Sequence, residues 1–520
     1  MKGVVAAGHP VTAEAGARIL REGGNAFDAA VCAALTSFTA ESPLTSLGAG
    51  GFALVHLAGG EDHLLDFFVE AGGRGLQPGD RGEFAAVEIR FDETPQVFNI
   101  GPASCGVPGT AAGLWEISQR FGTMPFGDLA APAVGHAREG VRVTPEQAYM
   151  FTILEPILCR YPETTELYAP EGNLLTAGDV FRFPALGDAL EAIAQEGPGH
   201  LYGGELGDRI CNWLCQRGGL LSSADFAEYK VIERQPVEVA YRDRRVLTNA
   251  PPSSGGVLIA YALELLQRWG SPPPLDDPNG LALLAEVMAE ASRARAGDFD
   301  ERLHEERFAQ SFLGGPHVAQ AAERIATGLA SHAGGPLGST THISVLDADG
   351  NAASVTCSNG SGSGVLAPGT GLHLNNMLGE EDLNPRGFHL HEPGTRVTSM
   401  MAPTLVLRGD EVELAVGSAG SNRLRSAILQ VIRYVVDYGM DPAAAVRMGR
   451  MHYEAGTVHV EPGFSDAAID ELERRGYPVV RWKGSNLFFG GTQAALRDPV
   501  TGEVAGGGDP RRGGVAVVVS

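Results

Sequence analysis

Residues 334–364 read GGPLGSTTHISVLDADGNAASVTCSNGSGSG. The stretch opens as a Gly/Pro loop (Gly334, Gly335, Pro336, Gly338) and then alternates. Ile343 and Val345 alternate with His342 and Ser344; Ala353, Val355 and Cys357 alternate with Ser354, Thr356 and Ser358. Between the arms lies Asp347-Ala348-Asp349-Gly350-Asn351. Asp and Asn bond back to the chain in turns and Gly accepts positive φ, so this is a hairpin. A five-residue loop pairs Leu346 with Ala352. Counting outward, Ser344 faces Ser354, His342 faces Thr356 and Thr340 faces Ser358, and side chains of one parity share a face.

One face of the hairpin is therefore apolar, and the other is nearly all hydroxyls. Water is the ordinary explanation of such a face in an antiparallel sheet. The position of Thr340 suggests more. It stands where a loose loop meets a rigid strand, with a second hydroxyl opposite. That suits a threonine freed by chain cleavage, whose own α-amine serves as base for its hydroxyl.

The run Thr340-Thr341-His342-Ile343-Ser344-Val345, followed by Asp347, Gly350, Asn351 and Ala352, resembles the start of the small subunit of γ-glutamyltransferases, which are N-terminal-nucleophile hydrolases. Glu22–Ala30, Gly48–Phe52, Pro251–Gly256 and the remainder from 439 to 520 also resemble that family. The resemblance implies an α/β (α+β) fold, a four-layer αββα sandwich built as one unit from 1–339 and 340–520. It implies cleavage between Ser339 and Thr340, a heterodimer of the two segments, and Thr340 as nucleophile. Ser358 falls where the family has a helper threonine.

The chain has 520 residues, 44% hydrophobic and 20% charged, with net charge −24. That balance argues against nucleic acid and anionic membrane as partners, because phosphate contacts need clustered Lys and Arg. No run of 18 apolar residues and no secretory signal is visible, so the expected location is cytoplasmic, although many relatives are exported. Six cysteines are scattered; Cys211 and Cys215, at i, i+4 on an expected helix, read as core residues. His304-Glu305 lacks the second histidine of a zinc-protease helix, and Gly48–Phe52 lacks the third glycine of a dinucleotide loop. No metal or cofactor is expected. His389 and His391 read as solvated.

Along the chain, residues 3–8 read as a strand. Thr12 is expected to cap a helix through Glu22, with Glu14 and Arg18 paired, and Asn25 to cap a second helix. Helices are expected near 110–120, 128–139, 205–217, 257–268 and through 279–326. Strands are expected at 372–377, 403–407 and 411–417. Gly417–Ser421 then turns into a long amphipathic helix. Main-chain N–H groups before such a helix favour negative charge, so Gly420 and Ser421 are candidate oxyanion donors, the alternative being an ordinary strand-to-helix turn. The family has a Gly-Gly pair there.

The remaining substrate residues come from the resemblance. Asn359, or Gly360 beside it, falls where the family has a further asparagine. The family grips the glutamyl α-carboxylate with an arginine, and Phe68 stands in its place. Its Ser-Ser pair becomes Ser399-Met400. Met377 replaces a polar residue after Asn375-Asn376, and Glu380 keeps the acidic partner of the α-amine. Unless Arg74, Arg396 or Arg423 substitutes, a γ-glutamyl group loses its bidentate partner. Three readings follow: a γ-glutamyltransferase-like amidase acting on compounds such as glutathione, an acylase for another acyl amide, and a non-catalytic relative.

Overall fold

The turn of the hairpin is held by Asp347, whose carboxylate accepts from the N–H groups of Asp349 and Asn351, both at 3.0 Å. Gly350 takes φ +97° there. The same carboxylate accepts from the Ala26 N–H at 2.9 Å, so the turn also satisfies the start of a helix. The arms run over Thr341–Asp347 and Ala352–Ser358. The computed structural model describes residues 3–76, 82–91, 94–327, 340–384 and 386–520. The Gly/Pro loop before Thr340 lies outside them.

The strands of the two main sheets are β1 (Gly3–Ala7), β2 (Gly50–His56), β3 (Asp62–Phe67), β4 (Ile232–Arg234), β5 (Val237–Tyr241), β6 (Arg244–Thr248), β7 (Thr341–Asp347), β8 (Ala352–Ser358), β9 (Thr404–Arg408), β10 (Glu411–Ala419), β11 (Gly491–Arg497), β12 (Val504–Gly508) and β13 (Val515–Val519). One sheet runs β13-β1-β7-β8-β2-β3-β4, the other β12-β11-β10-β9-β6-β5, each antiparallel throughout. Both draw strands from either side of residue 340. In the hairpin Leu346 pairs with Ala352, Ser344 with Ser354 and His342 with Thr356, the register expected from the turn.

Helices α1 (Pro10–Arg21) and α2 (Ala26–Ala40) cover the first sheet. Ile343, Val345, Ala353 and Val355 share one apolar cluster with Ala30, Val31 and Ala34 of α2. Helices α3 (Ser254–Gln267), α4 (Pro278–Ala294) and α5 (Leu424–Val436) cover the second, joining Leu405, Leu414 and Val416 in another cluster. The result is a four-layer αββα sandwich. Expected helices near 110–120, 128–139 and 205–217 form as Thr110–Phe121, Phe126–Glu139 and Glu205–Cys215.

The hydroxyl face does not meet water. It looks at the second sheet, and His342, Ser344, Ser354 and Thr356 are at most 1% exposed. Each polar group finds a protein partner, as burial demands. His342 Nδ1 lies 2.7 Å from Thr356 Oγ1 and Nε2 lies 3.0 Å from Ser344 Oγ. Ser344 and Ser354 donate to the carbonyls of Gln493 and Val416 at 3.1 and 3.2 Å across the sandwich. The His342 ring rests on Gly417, where a Cβ would fall 2.2 Å from a ring carbon. Burial holds the imidazole down at about 3, hence neutral.

Three local expectations need correction. His9, not Thr12, caps α1, its Nδ1 accepting from the Val11 N–H at 3.1 Å, while Thr12 is buried. The exposed pairs on α1 are Arg18–Glu22 and Arg21–Glu14 rather than Glu14–Arg18. Residues 372–377 make isolated bridges, Gly48–Leu374 and Leu366–His373, and no strand. The Asn375 side chain takes over the role of a ladder there, donating to the carbonyls of Gly48 and Gly106 at 2.9 and 3.0 Å.

Candidate active site around Thr340

Thr340 stands one residue before β7, 5% exposed, and the 341–357 pairing sets it opposite Ser358. Its Oγ1 donates to Ser358 Oγ at 3.2 Å, and Ser358 Oγ also accepts from the Gly360 N–H at 3.0 Å. Both hydroxyls open into a shallow cleft of about 40 Å³. Phe68, Glu380, Ser399 and Ser421, named from sequence, line it as well.

Gly420 and Ser421 adopt φ +119° and +50° and lead through one tight turn into α5. Gly420 backs onto Gly490, whose Cα would be 2.9 Å from an added Cβ, so the turn tolerates no side chain there. The Ser421 hydroxyl donates to Asp382 Oδ2 at 2.8 Å, and Asn422 Nδ2 donates to Oδ1 at 3.2 Å. Arg295 steadies both partners, donating to Asn422 Oδ1 at 3.0 Å and the Asp382 carbonyl at 2.9 Å. Sequence reading missed this clamp. The acidic run Glu380-Glu381-Asp382 was visible, but nothing in it showed which acid would reach the 421–422 turn.

Glu380 is buried and accepts from the Ser361 N–H at 2.7 Å; burial pushes its carboxyl up to about 7. Burial also raises Asp382, against the opposing pull of Arg295. Ser399 Oγ accepts from the Met401 N–H at 3.1 Å. Phe68 stacks on Phe52 with centroids 5.3 Å apart and joins Val69, Met377, Val397 and Met401 in a small apolar cluster. Leu383, Met400 and Leu424 extend that apolar wall.

Asn359 is not brought to the cleft. Its Oδ1 accepts from Ser46 Oγ at 2.8 Å and its Nδ2 donates to the Pro43 carbonyl at 3.2 Å, so its amide staples two loops; Gly360 is the one that lines the cleft. The three arginines also lie elsewhere. Arg396 sits behind Phe68, donating to its carbonyl at 2.7 Å and pairing with Asp66 and Glu70. Arg74 pairs with Glu228 at 2.8 Å, and Arg423 pairs with Glu454 at 3.3 Å over the Phe488 ring. Among the described residues no Lys, Arg or His lines the cleft.

On the β1 side of Thr340 a second, larger cavity of about 280 Å³ opens. Glu41 lies in its wall, accepting a hydrogen bond from the Thr341 hydroxyl, with its carboxyl raised by burial to about 7. His389 and His391 are not simply solvated: His389 stacks on Phe84 at 4.5 Å and His391 Nε2 lies 3.1 Å from Asn384 Oδ1. Among the described residues no three His, Cys, Asp or Glu converge to hold a metal ion, and no helix is long and apolar enough to cross a membrane.

The family model described as gamma-glutamyltranspeptidase matches residues 12–519. The chain belongs to that family. An acylase ACY 1 proenzyme of Pseudomonas sp. (strain V22) is 31% identical over 533 residues, covering 100% of this chain and 94% of the relative. A glutathione hydrolase proenzyme of Pseudomonas aeruginosa is 30% identical, covering 99% and 94%. The crystal structure of cephalosporin acylase from Bacillus halodurans superposes with a TM-score of 0.87 at 26% identity, covering 100% and 96%. Within the gamma-glutamyltranspeptidase family, relatives of two differently named activities thus match this chain almost equally. Overall identity does not choose the acyl group; the cleft has to.

Proposed function

We propose that the protein is an acylase of the gamma-glutamyltranspeptidase family that cleaves itself before Thr340 and acts on amides whose acyl group lacks the glutamyl α-carboxylate. Thr340 Oγ attacks the amide carbonyl, forming the Oγ–C bond, and its proton passes to the freed α-amine, which titrates near ~8. Ser358, in contact with Oγ1, relays that proton. Main-chain N–H groups at 420–421 face the developing oxyanion, where one donor is worth about 3–4 kcal/mol. The tetrahedral species collapses as the C–N bond breaks and the amine leaves with the proton. Water or another amine then resolves the acyl-threonine.

The observation that carries the choice of acyl group is the wall of the cleft. Phe68, Met377, Met400 and Met401 line it, its titratable groups are Glu380 and Asp382, and among the described residues no cationic side chain lines it, Arg295 and Arg423 acting on Asp382 from behind the wall. An α-carboxylate placed there forgoes a charge-assisted bidentate bond worth roughly 1.5–3 kcal/mol and meets two acids instead. Glu380 still offers a partner to an amino substituent, the one feature that favours the γ-glutamyl reading.

The test compares hexanoyl and γ-glutamyl 4-nitroanilides. The expected kcat/KM favours hexanoyl by about one to two orders of magnitude, the factor that 1.5–3 kcal/mol allows. Preference for the γ-glutamyl compound sinks the assignment of the acyl group. Thr340→Ala is expected to remain one chain on a denaturing gel and to be inactive; turnover by that variant sinks the mechanism.

A further inference from the structure

Glu41 is a buried acid that the acyl-transfer chemistry leaves unused. It follows α2 directly, its N–H donating to the Ser37 carbonyl at 2.7 Å, and it is 4% exposed. A carboxylate there faces the negative end of the helix dipole. Several other buried acids of this chain touch a guanidinium: Asp66 has Arg234 at 2.7 Å, Asp437 has Arg242 at 2.9 Å and Asp509 has Arg450 at 2.6 Å. Glu41 instead takes the Thr341 hydroxyl as donor to Oε2, with Arg512 pulling on it from a distance. Burying an acid with so little compensation is costly.

The backbone makes room for that one contact. Gly8 stands just past β1, and a Cβ there would fall 2.2 Å from Glu41 Oε2 and 3.2 Å from Thr341 Oγ1. The end of α2, the end of β1 and the head of β7 therefore meet at a single hydrogen bond.

That bond lies one residue from the reacting one. Thr340 and Thr341 point to opposite faces of the sheet: Thr340 Oγ1 bonds Ser358 between the sheets, and Thr341 Oγ1 bonds Glu41 on the α2 side. Thr340 precedes the first rung of the ladder, Thr341 with Cys357, so side-chain bonds rather than strand pairing hold its backbone. In self-cleavage Thr340 Oγ bonds to the preceding carbonyl carbon, the C–N bond breaks and the nitrogen takes up the hydroxyl proton; water then opens the ester. The approach of Oγ to that carbonyl is set by the backbone at Thr340, and a misplacement of about 1 Å costs up to about 100-fold in such a step.

We propose that Glu41 is a positioning residue for self-cleavage: by holding Thr341 from the α2 side, it fixes the Thr340 backbone in the conformation from which Oγ reaches the preceding carbonyl. The inference rests on the reading that the chain cuts itself before Thr340.

The test times cleavage of newly made chain in cell-free synthesis, followed on a denaturing gel. Stability is read separately, by urea unfolding of the same substitutions in the Thr340→Ala chain, which stays uncut. Glu41→Met and Thr341→Val each remove the bond and are expected to slow cleavage about tenfold or more. Glu41→Gln keeps the acceptor and is expected to cut within about threefold of the wild-type rate. The double variant Glu41→Met/Thr341→Val strands neither partner, so its unfolding midpoint is expected to match that of the parent chain. It is still expected to cut as slowly as either single variant, because all three lack the same bond. The proposal falls if the double variant cuts at the wild-type rate, if Glu41→Gln is as slow as Glu41→Met, or if cleavage slows only in variants that unfold earlier or fail to fold, which would make Glu41 a support of the fold alone. A wild-type chain that is never cut refutes the self-cleavage reading itself, an outcome distinct from a wild type that is cut and variants that keep pace with it.

Discussion

Ser358→Ala isolates the hydroxyl pair at the head of the hairpin. Its oxygen accepts from Thr340 Oγ1 at 3.2 Å and from the Gly360 N–H at 3.0 Å. Removing it strands the Gly360 N–H in a fully buried turn, which costs about 1–3 kcal/mol of stability. The effect on rate is larger. A group that passes a proton in the transition state contributes about 10²- to 10⁴-fold. The resting contact is longer than the roughly 2.7–2.8 Å typical of hydroxyl pairs, so little of it is ground-state binding. We expect kcat to fall about 100-fold with KM within a few-fold, because Ser358 touches the nucleophile rather than the acyl chain. The assay is hexanoyl-4-nitroanilide hydrolysis, normalised to the fraction of chain cut at 339–340, since the same contact serves cleavage and turnover. Ser358→Thr keeps the hydroxyl and is expected to restore most of the rate. The reasoning fails if Ser358→Ala keeps kcat within about threefold per cleaved molecule, or if Ser358→Thr is as slow as the alanine variant.

Further outcomes follow from single contacts. Gly417→Ala places a methyl 2.2 Å from the His342 ring between the sheets and is expected to cost about 1–3 kcal/mol in denaturant unfolding; a neutral result means the sheets are not held at this spacing. Glu41 binds its proton more tightly folded (about 7) than unfolded (about 4.5), so the native state holds more protons between those values and stability falls as pH rises from 4.5 to 7. Glu41→Gln is therefore expected to stabilise the protein by up to about 3 kcal/mol at pH 8 and to change little at pH 4.5, read from melting curves at both pH values. Asp382→Ala releases Ser421 and Asn422 and is expected to lower kcat about tenfold or more, the equivalent of losing one hydrogen bond to a charged group; unchanged kcat would show that the clamp does not set the 420–421 turn.

The hairpin was legible because its signal is local. Five turn residues fix the register, and the register fixes which side chains share a face. What that face touches was not legible: Gln493, Val416 and Gly417 lie 62 to 149 residues away along the chain, and the hydroxyls of Ser344 and Ser354 look the same whether they bond water or those carbonyls. Thr12 failed as a cap for a similar reason. Its hydroxyl suits the role, but His9 comes first in the chain and its ring nitrogen reaches the Val11 N–H. In the site, Phe68, Glu380, Ser399 and Ser421 could be assigned by position and do share the cleft with Thr340. Asn359 could not, because adjacent residues at a strand end point opposite ways, and its amide turns to Ser46 and Pro43.

The place of Thr340 in the first sheet explains how a chain can be cut there and stay whole. The ladder of β7 begins at Thr341, paired with Cys357, and β1 joins it from Ile343 onward. Thr340 is thus outside the ladder, and scission before it removes no strand-to-strand hydrogen bond. The strands of 1–339 and 340–520 alternate within each sheet, with β7 and β8 between β1 and β2 and β9 beside β6. Separating the segments would expose the centres of both sheets, so the two pieces are bound as firmly as the fold itself.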